Sequence, residues 1–139
     1  MESGYTILEH PADIGVEARG KTLSEAFEQA ATGMMSVLID PASVDSNRSE
    51  EIILRAGDIE QLLVRWLGEI LYHFDCRKFL AKEFTIKKMT GNELNAVIRG
   101  ELYQERKHHT KLDIKAVTYH QLCVREEDQG WYVRFFLDI

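Results

Sequence analysis

Two acidic positions near opposite ends of the 139-residue chain have the chemistry of a cation site. Asp13 lies in the short segment His10-Pro11-Ala12-Asp13-Ile14-Gly15, framed by apolar residues. Asp138 follows the strand-like run Phe135-Phe136-Leu137 and precedes Ile139. An α-carboxylate on Ile139 titrates near about 3.3–3.7 and is ionised at neutral pH. If the fold joins the two ends, Asp13, Asp138 and Ile139 make an oxygen-rich pocket. Hard divalent cations such as Ca²⁺ and Mg²⁺ take such ligands, whereas zinc needs His or Cys nearby. Taken singly, Asp13 reads as a turn or capping residue after a proline, and Asp138 as a solvated strand end.

The other polar groups are scattered. His10 and His120 matter as ligands or acid–base groups only if the fold sets them beside Asp13; otherwise each is a histidine bonded locally. His108-His109 sits in a polar stretch and reads as a solvated pair. Lys115 opens a strand among apolar residues. Its stem can pack while the ammonium reaches outward, or it can balance a carboxylate cluster or meet an anionic partner. No Walker loop, Gly-x-Ser-x-Gly, His-Glu-x-x-His or Gly-x-Gly-x-x-Gly occurs, so the familiar catalytic motifs are absent.

These residues are positioned by short elements. Tyr5-Thr6-Ile7-Leu8 is β-prone, and Ile14 to Gly20 alternates apolar and polar as a half-buried strand does. Thr22 opens a helix through a capping box with Glu25. Leu23, Ala26, Phe27, Ala30, Met34, Val37 and Leu38 then form one apolar stripe. Pro41 to Glu50 is loop-like and Glu51 to Ala56 a strand. Asp58 caps a second helix whose stripe is Leu62, Leu63, Trp66, Leu67, Ile70, Leu71 and Phe74. From Phe79 the period falls to two: Phe84–Lys87 and Leu94–Arg99 flank a Gly91-Asn92 turn, and Lys115–Val124 and Trp131–Leu137 flank a hairpin loop. Glu101 to Leu112 is polar and expected as an exposed loop. The order is ββαβα followed by four strands. The expected fold is α+β, a two-layer sandwich in which two helices lie on one face of a mixed, mainly antiparallel sheet.

The length suits one domain over residues 1–139, large enough to bury a core without staples. With 45% hydrophobic and 29% charged residues the composition is globular. No apolar run approaches a membrane span, and Met1-Glu2-Ser3-Gly4 lacks a signal-peptide pattern. The two cysteines, Cys76 and Cys123, fit no zinc spacing and read as reduced thiols of a cytoplasmic protein. A net charge of −6 argues against direct nucleic-acid binding. A role in RNA biology would run through a protein partner.

His10-Pro11-Ala12-Asp13-Ile14-Gly15, Leu23-Ser24-Glu25-Ala26-Phe27, the Asp58–Tyr72 helix, Gly100-Glu101, Lys115-Ala116-Val117-Thr118-Tyr119-His120 and Leu137-Asp138-Ile139 together resemble the archease family, in order, spacing and length. One departure is Pro11, where the family usually has Thr; it alters the turn before Asp13 without removing a ligand. The resemblance implies a small, non-enzymatic cofactor of the RtcB-type tRNA-splicing ligase, one that promotes guanylylation of the ligase and its multiple turnover. It implies a divalent-cation site at Asp13, Asp138 and Ile139, with Ca²⁺ first and Mg²⁺ or Mn²⁺ as alternatives. His10, Lys115 and His120 would support that site or face the partner. The expected state is a monomer or weak oligomer away from membranes. Two rivals share these residues: a stand-alone metal-dependent hydrolase, and a chaperone-like interaction module that uses no metal.

Overall fold

The computed structural model describes residues 2–9 and 12–139. In chain order the elements are β1 (Gly4–Glu9), β2 (Asp13–Gly20), α1 (Leu23–Leu38), β3 (Arg48–Arg55), α2 (Ile59–Arg77), β4 (Phe79–Met89), β5 (Glu93–Leu102), β6 (Ala116–Glu127) and β7 (Gly130–Asp138). This is the ββαβα-plus-four-strand order of the sequence pattern, in the α+β class. The strands divide into a four-stranded sheet, β1-β2-β7-β6, and a three-stranded sheet, β3-β5-β4. Every pairing is antiparallel. Side-chain alternation says which residues face inward, not which strand lies alongside, so the division into two sheets is not written in the periodicity.

Both helices bridge the sheets. α1 packs against β1, β2 and β7 of the first sheet and β4 of the second, while α2 packs against β6 and all three strands of the second. One continuous apolar cluster results. Its largest member, Trp66, is fully buried. Its indole N–H donates to the Phe27 carbonyl at 2.9 Å, and its ring meets Phe84 edge-on at 6.1 Å. Burying each large apolar side chain of this kind stabilises the fold by about 1.5–3 kcal/mol.

The helix starts follow their capping residues with one change. Thr22 accepts from the Glu25 amide at 3.1 Å, but the Glu25 carboxylate reaches past the cap amide to the amide of Lys21, at 3.2 Å, and also takes the Ser3 hydroxyl. α2 repeats the device: Asp58 accepts from the Gln61 amide at 2.8 Å, and Gln61 accepts from the Gly57 amide at 2.6 Å. No helix among the described residues is long and apolar enough to cross a membrane. Cys76 and Cys123 are both free thiols.

Candidate functional site

The core fixes where Asp13 sits. β2 and β7 pair so that Ile14 faces Leu137, Val16 faces Phe135 and Ala18 faces Val133, and all six are buried. A slip of one residue would turn this whole set to the outside. The register so enforced sets Asp13 directly opposite Asp138. Opposed residues of an antiparallel pair project from the same face with Cβ atoms about 4.5–5.5 Å apart. The two carboxylates therefore stand side by side on the outer face of the four-stranded sheet, Asp13 half-buried and Asp138 exposed. Like charges opposed in this way cost stability, and none of the ion pairs among the described residues includes either of them. A cation between them would turn the repulsion into attraction.

Neighbouring residues hold this rung. The Ile139 side chain packs against the core, which fixes the last residue next to Asp138. Ala116 of β6 pairs with Asp138 from the other side. The Lys115 amide donates to the Asp138 carbonyl at 2.8 Å, while its side chain is exposed. His10 and Pro11 lie outside the described residues. Among the described residues no three His, Cys, Asp or Glu side chains converge as a ready-made cage. Two opposed carboxylates with a further oxygen donor at Ile139 fit a hard cation completed by water.

The next rung inward is Gly15, Phe136 and Thr118. A Cβ on Gly15 would lie 2.7 Å from the Phe136 ring, so glycine is what lets that ring lie across β2. The His120 ring meets Phe136 at 5.7 Å between centroids, inclined by 64°. The far end of this face carries paired charges: Arg19 and Arg125 both meet the Glu127 carboxylate, at 3.5 and 3.0 Å. The Arg19 and Arg125 guanidiniums lie over the Tyr132 ring, 4.8 and 4.4 Å from its centroid. Burial raises the Tyr132 pKa, and its hydrogen bond to Glu17 raises it further.

One polar centre was misjudged by the sequence pattern. Glu101 to Leu112 is not a uniformly exposed loop: Glu101 belongs to β5 and is buried, and His108 is wholly buried, while His109 is exposed. The Gln104 amide donates to His108 Nδ1 at 2.8 Å. Nε2 therefore carries the proton and donates to Glu101 Oε2 at 2.9 Å. The same oxygen accepts from the Asp45 amide at 2.8 Å and from the Lys107 ammonium at 2.7 Å. Burial alone would raise the Glu101 pKa, but hydrogen bonds from Lys107, Asp45 and His108 outweigh it and hold the carboxyl at about 2. Polar residues become core here by satisfying one another, which periodicity does not register. Glu28 is a second half-buried carboxylate, accepting from the Ile86 amide at 2.8 Å and joining α1 to β4. Burial raises its pKa.

Comparison with known proteins bears on what this arrangement is for. The sequence model of the Archease protein family (MTH1598/TM1083) matches residues 5–139. The chain is 39% identical to Protein archease of Methanosarcina acetivorans, with 97% of this chain and 95% of that protein covered. It is 32% identical to Protein archease of Sulfolobus acidocaldarius, with coverage of 97% and 98%. The solution structure of protein 1598 of Methanobacterium thermoautotrophicum superposes with a TM-score of 0.84 at 30% identity, covering 98% of this chain and 99% of that one. The crystal structure of a Thermotoga maritima archease, described as a possible chaperone, shares the fold at a TM-score of 0.68 and 21% identity, covering 95% and 94%.

Proposed function

This chain belongs to the archease family, and we propose that it acts as a non-enzymatic helper of an RtcB-type tRNA-splicing and RNA-repair ligase, promoting guanylylation of the ligase and its multiple turnover. In this reading Asp13 and Asp138 hold a divalent cation, with Ile139 as a further oxygen donor. Calcium is the first candidate, with magnesium and manganese as alternatives. The observation that carries it is the β2–β7 register, in which Asp13 faces Asp138 across one rung.

When bound, the cation neutralises the carboxylates and offers open positions to oxygen ligands of a partner or nucleotide. The chain's own residues do the rest. The core-locked register keeps the carboxylates together, and the Ile139 side chain anchors the last residue. The Lys115 amide ties the start of β6 to Asp138, leaving an exposed ammonium beside the rung to meet an anionic group. His10 and His120 support the site or face the partner. The net charge of −6 favours a protein partner over direct contact with nucleic acid.

The test is a multiple-turnover ligation assay at saturating cation with wild type, Asp13→Ala and Asp138→Ala. Wild type raises turnover, and each variant loses at least about tenfold of that gain, as disrupting a metal site does, with its circular dichroism spectrum unchanged. Ligase that reaches the same turnover without this protein refutes the reading. A chaperone-like module without metal is the second reading, favoured by the lack of three converging donor side chains among the described residues. It predicts no cation binding and full partner binding by Asp138→Ala.

A further inference from the structure

We propose that this protein pairs with a second copy of itself through the free edge of β3, joining two three-stranded sheets into one; the inference is independent of the cation reading. β3 is an outer strand in the order β3-β5-β4. Edge strands are commonly protected by proline, bulges or a covering element. β4 shifts register twice and gives its Ile86 amide to Glu28 of α1. β6 is bulged between Thr118 and Cys123. β3 has none of these devices: its residues run in unbroken register from Arg48 to Arg55, without proline. Its centre is apolar on both faces. Ile52 is buried and Leu54 half-buried, while Ile53 is 67% exposed, more than any other large hydrophobic among the described residues.

The backbone decides which residues can pair. The Ala56 amide donates to the Asn92 carbonyl at 2.9 Å, continuing the Arg55–Glu93 register. Bonded and unbonded pairs alternate along an antiparallel ladder. Leu54 and Ile52 therefore bond to β5, while Glu51, Ile53 and Arg55 turn their amides and carbonyls outward. Arg65 Nη1 of α2 donates to the Arg55 carbonyl at 2.9 Å, which agrees with that direction. A carbonyl has two lone pairs, so one remains for an amide of the second copy. These outward groups can meet their own copies about a two-fold axis. With Ile53 on the axis, it faces Ile53 of the second copy, and Arg55 of each chain faces Glu51 of the other. Leu54 then falls opposite Ile52 of the second copy on the inner face. Centring on Glu51 or Arg55 would oppose like charges. Centring on Ile52 or Leu54 would set Ile53 against a charged residue. Only the Ile53 register matches apolar with apolar and each charge with its opposite, the pairings that stabilise antiparallel strands. Among the described residues Glu51 joins no ion pair, and Arg55 meets only the exposed Glu93, at 3.3 Å. Such a self-complementary two-fold contact closes at two copies.

The experiment is sedimentation velocity of the full chain from micromolar to millimolar concentration, with amide hydrogen exchange at both ends of the series. The samples are wild type, Ile53→Lys, Glu51→Arg, Arg55→Glu and an equimolar mixture of the last two. One strand from each copy is a small contact beside the about 1,200–2,000 Å² of a standard interface, so wild type moves from monomer to dimer across the series. The Glu51, Ile53 and Arg55 amides gain protection in step. Each single variant loses about tenfold or more in association, since like charges or a buried lysine then face each other, and keeps its circular dichroism spectrum because all three positions are exposed. Mixing Glu51→Arg with Arg55→Glu restores the dimer, because each chain then meets the opposite charge at both positions. Wild type that stays monomeric throughout, a dimer that Ile53→Lys leaves unchanged, or charge variants that stay monomeric when mixed overturns the proposal. Protection of these amides that appears on adding an RtcB-type ligase but not with concentration assigns the edge to a different chain, and overturns it too.

Discussion

Glu101→Gln isolates the contribution of the buried polar centre. Three donors converge on one Glu101 oxygen: the Lys107 ammonium, the Asp45 amide and the His108 Nε2–H. They hold its carboxyl at about 2 against an ordinary value of 4.5. A depression of that size, at about 1.4 kcal/mol per unit, contributes roughly 3 kcal/mol. The sign follows from the lowered value. The contribution is fully present above the unfolded value and is lost as pH falls through the folded one. Glutamine keeps an accepting oxygen but not the charge that strengthens all three bonds. Near neutral pH the variant should be less stable by about 2–3 kcal/mol, the range for losing charge-assisted bonds in a buried site. Urea denaturation followed by Trp66 fluorescence and circular dichroism, repeated from neutral pH into the acid range, measures both effects. The wild-type curve declines in acid and converges on a flatter variant curve. Two parallel curves, or equal stabilities at neutral pH, would refute the reasoning.

Further predictions follow from other residues. Glu28 has the opposite sign: its pKa is raised, so its share of stability is largest below the unfolded value and declines as pH rises through the folded one. Glu28→Gln, which keeps an acceptor for the Ile86 amide, should therefore raise stability near neutral pH in the same denaturation assay. Gly15→Ala pushes a methyl group to 2.7 Å from the Phe136 ring; overpacking of this kind costs about 1–3 kcal/mol, and calorimetry should show weaker cation binding too.

The helices were legible because each has an unbroken apolar stripe opened by a capping residue. Ile14 to Gly20 and Trp131 to Leu137 were legible as strands because one face of each is core. The meeting of Asp13 with Asp138 depended on which strands are neighbours, and alternation is silent on that; the register appeared only when Ile14, Val16 and Ala18 found Leu137, Phe135 and Val133. The β6 bulge is hidden for a related reason. Lys115 to Val124 alternates well enough to look like one strand, and the three extra residues become visible only against β7. Glu101 and His108 went unread because a polar pair that satisfies itself in the interior has the composition of a loop.

The most direct test of the central claim is anomalous scattering from a crystal of the protein soaked in Mn²⁺. The account predicts a peak between the Asp13 and Asp138 carboxylates, within about 2.0–2.6 Å of an oxygen from each, the range of ion–oxygen bonds for hard cations. A peak bound elsewhere, or none at this rung with Mn²⁺ in excess, would contradict it.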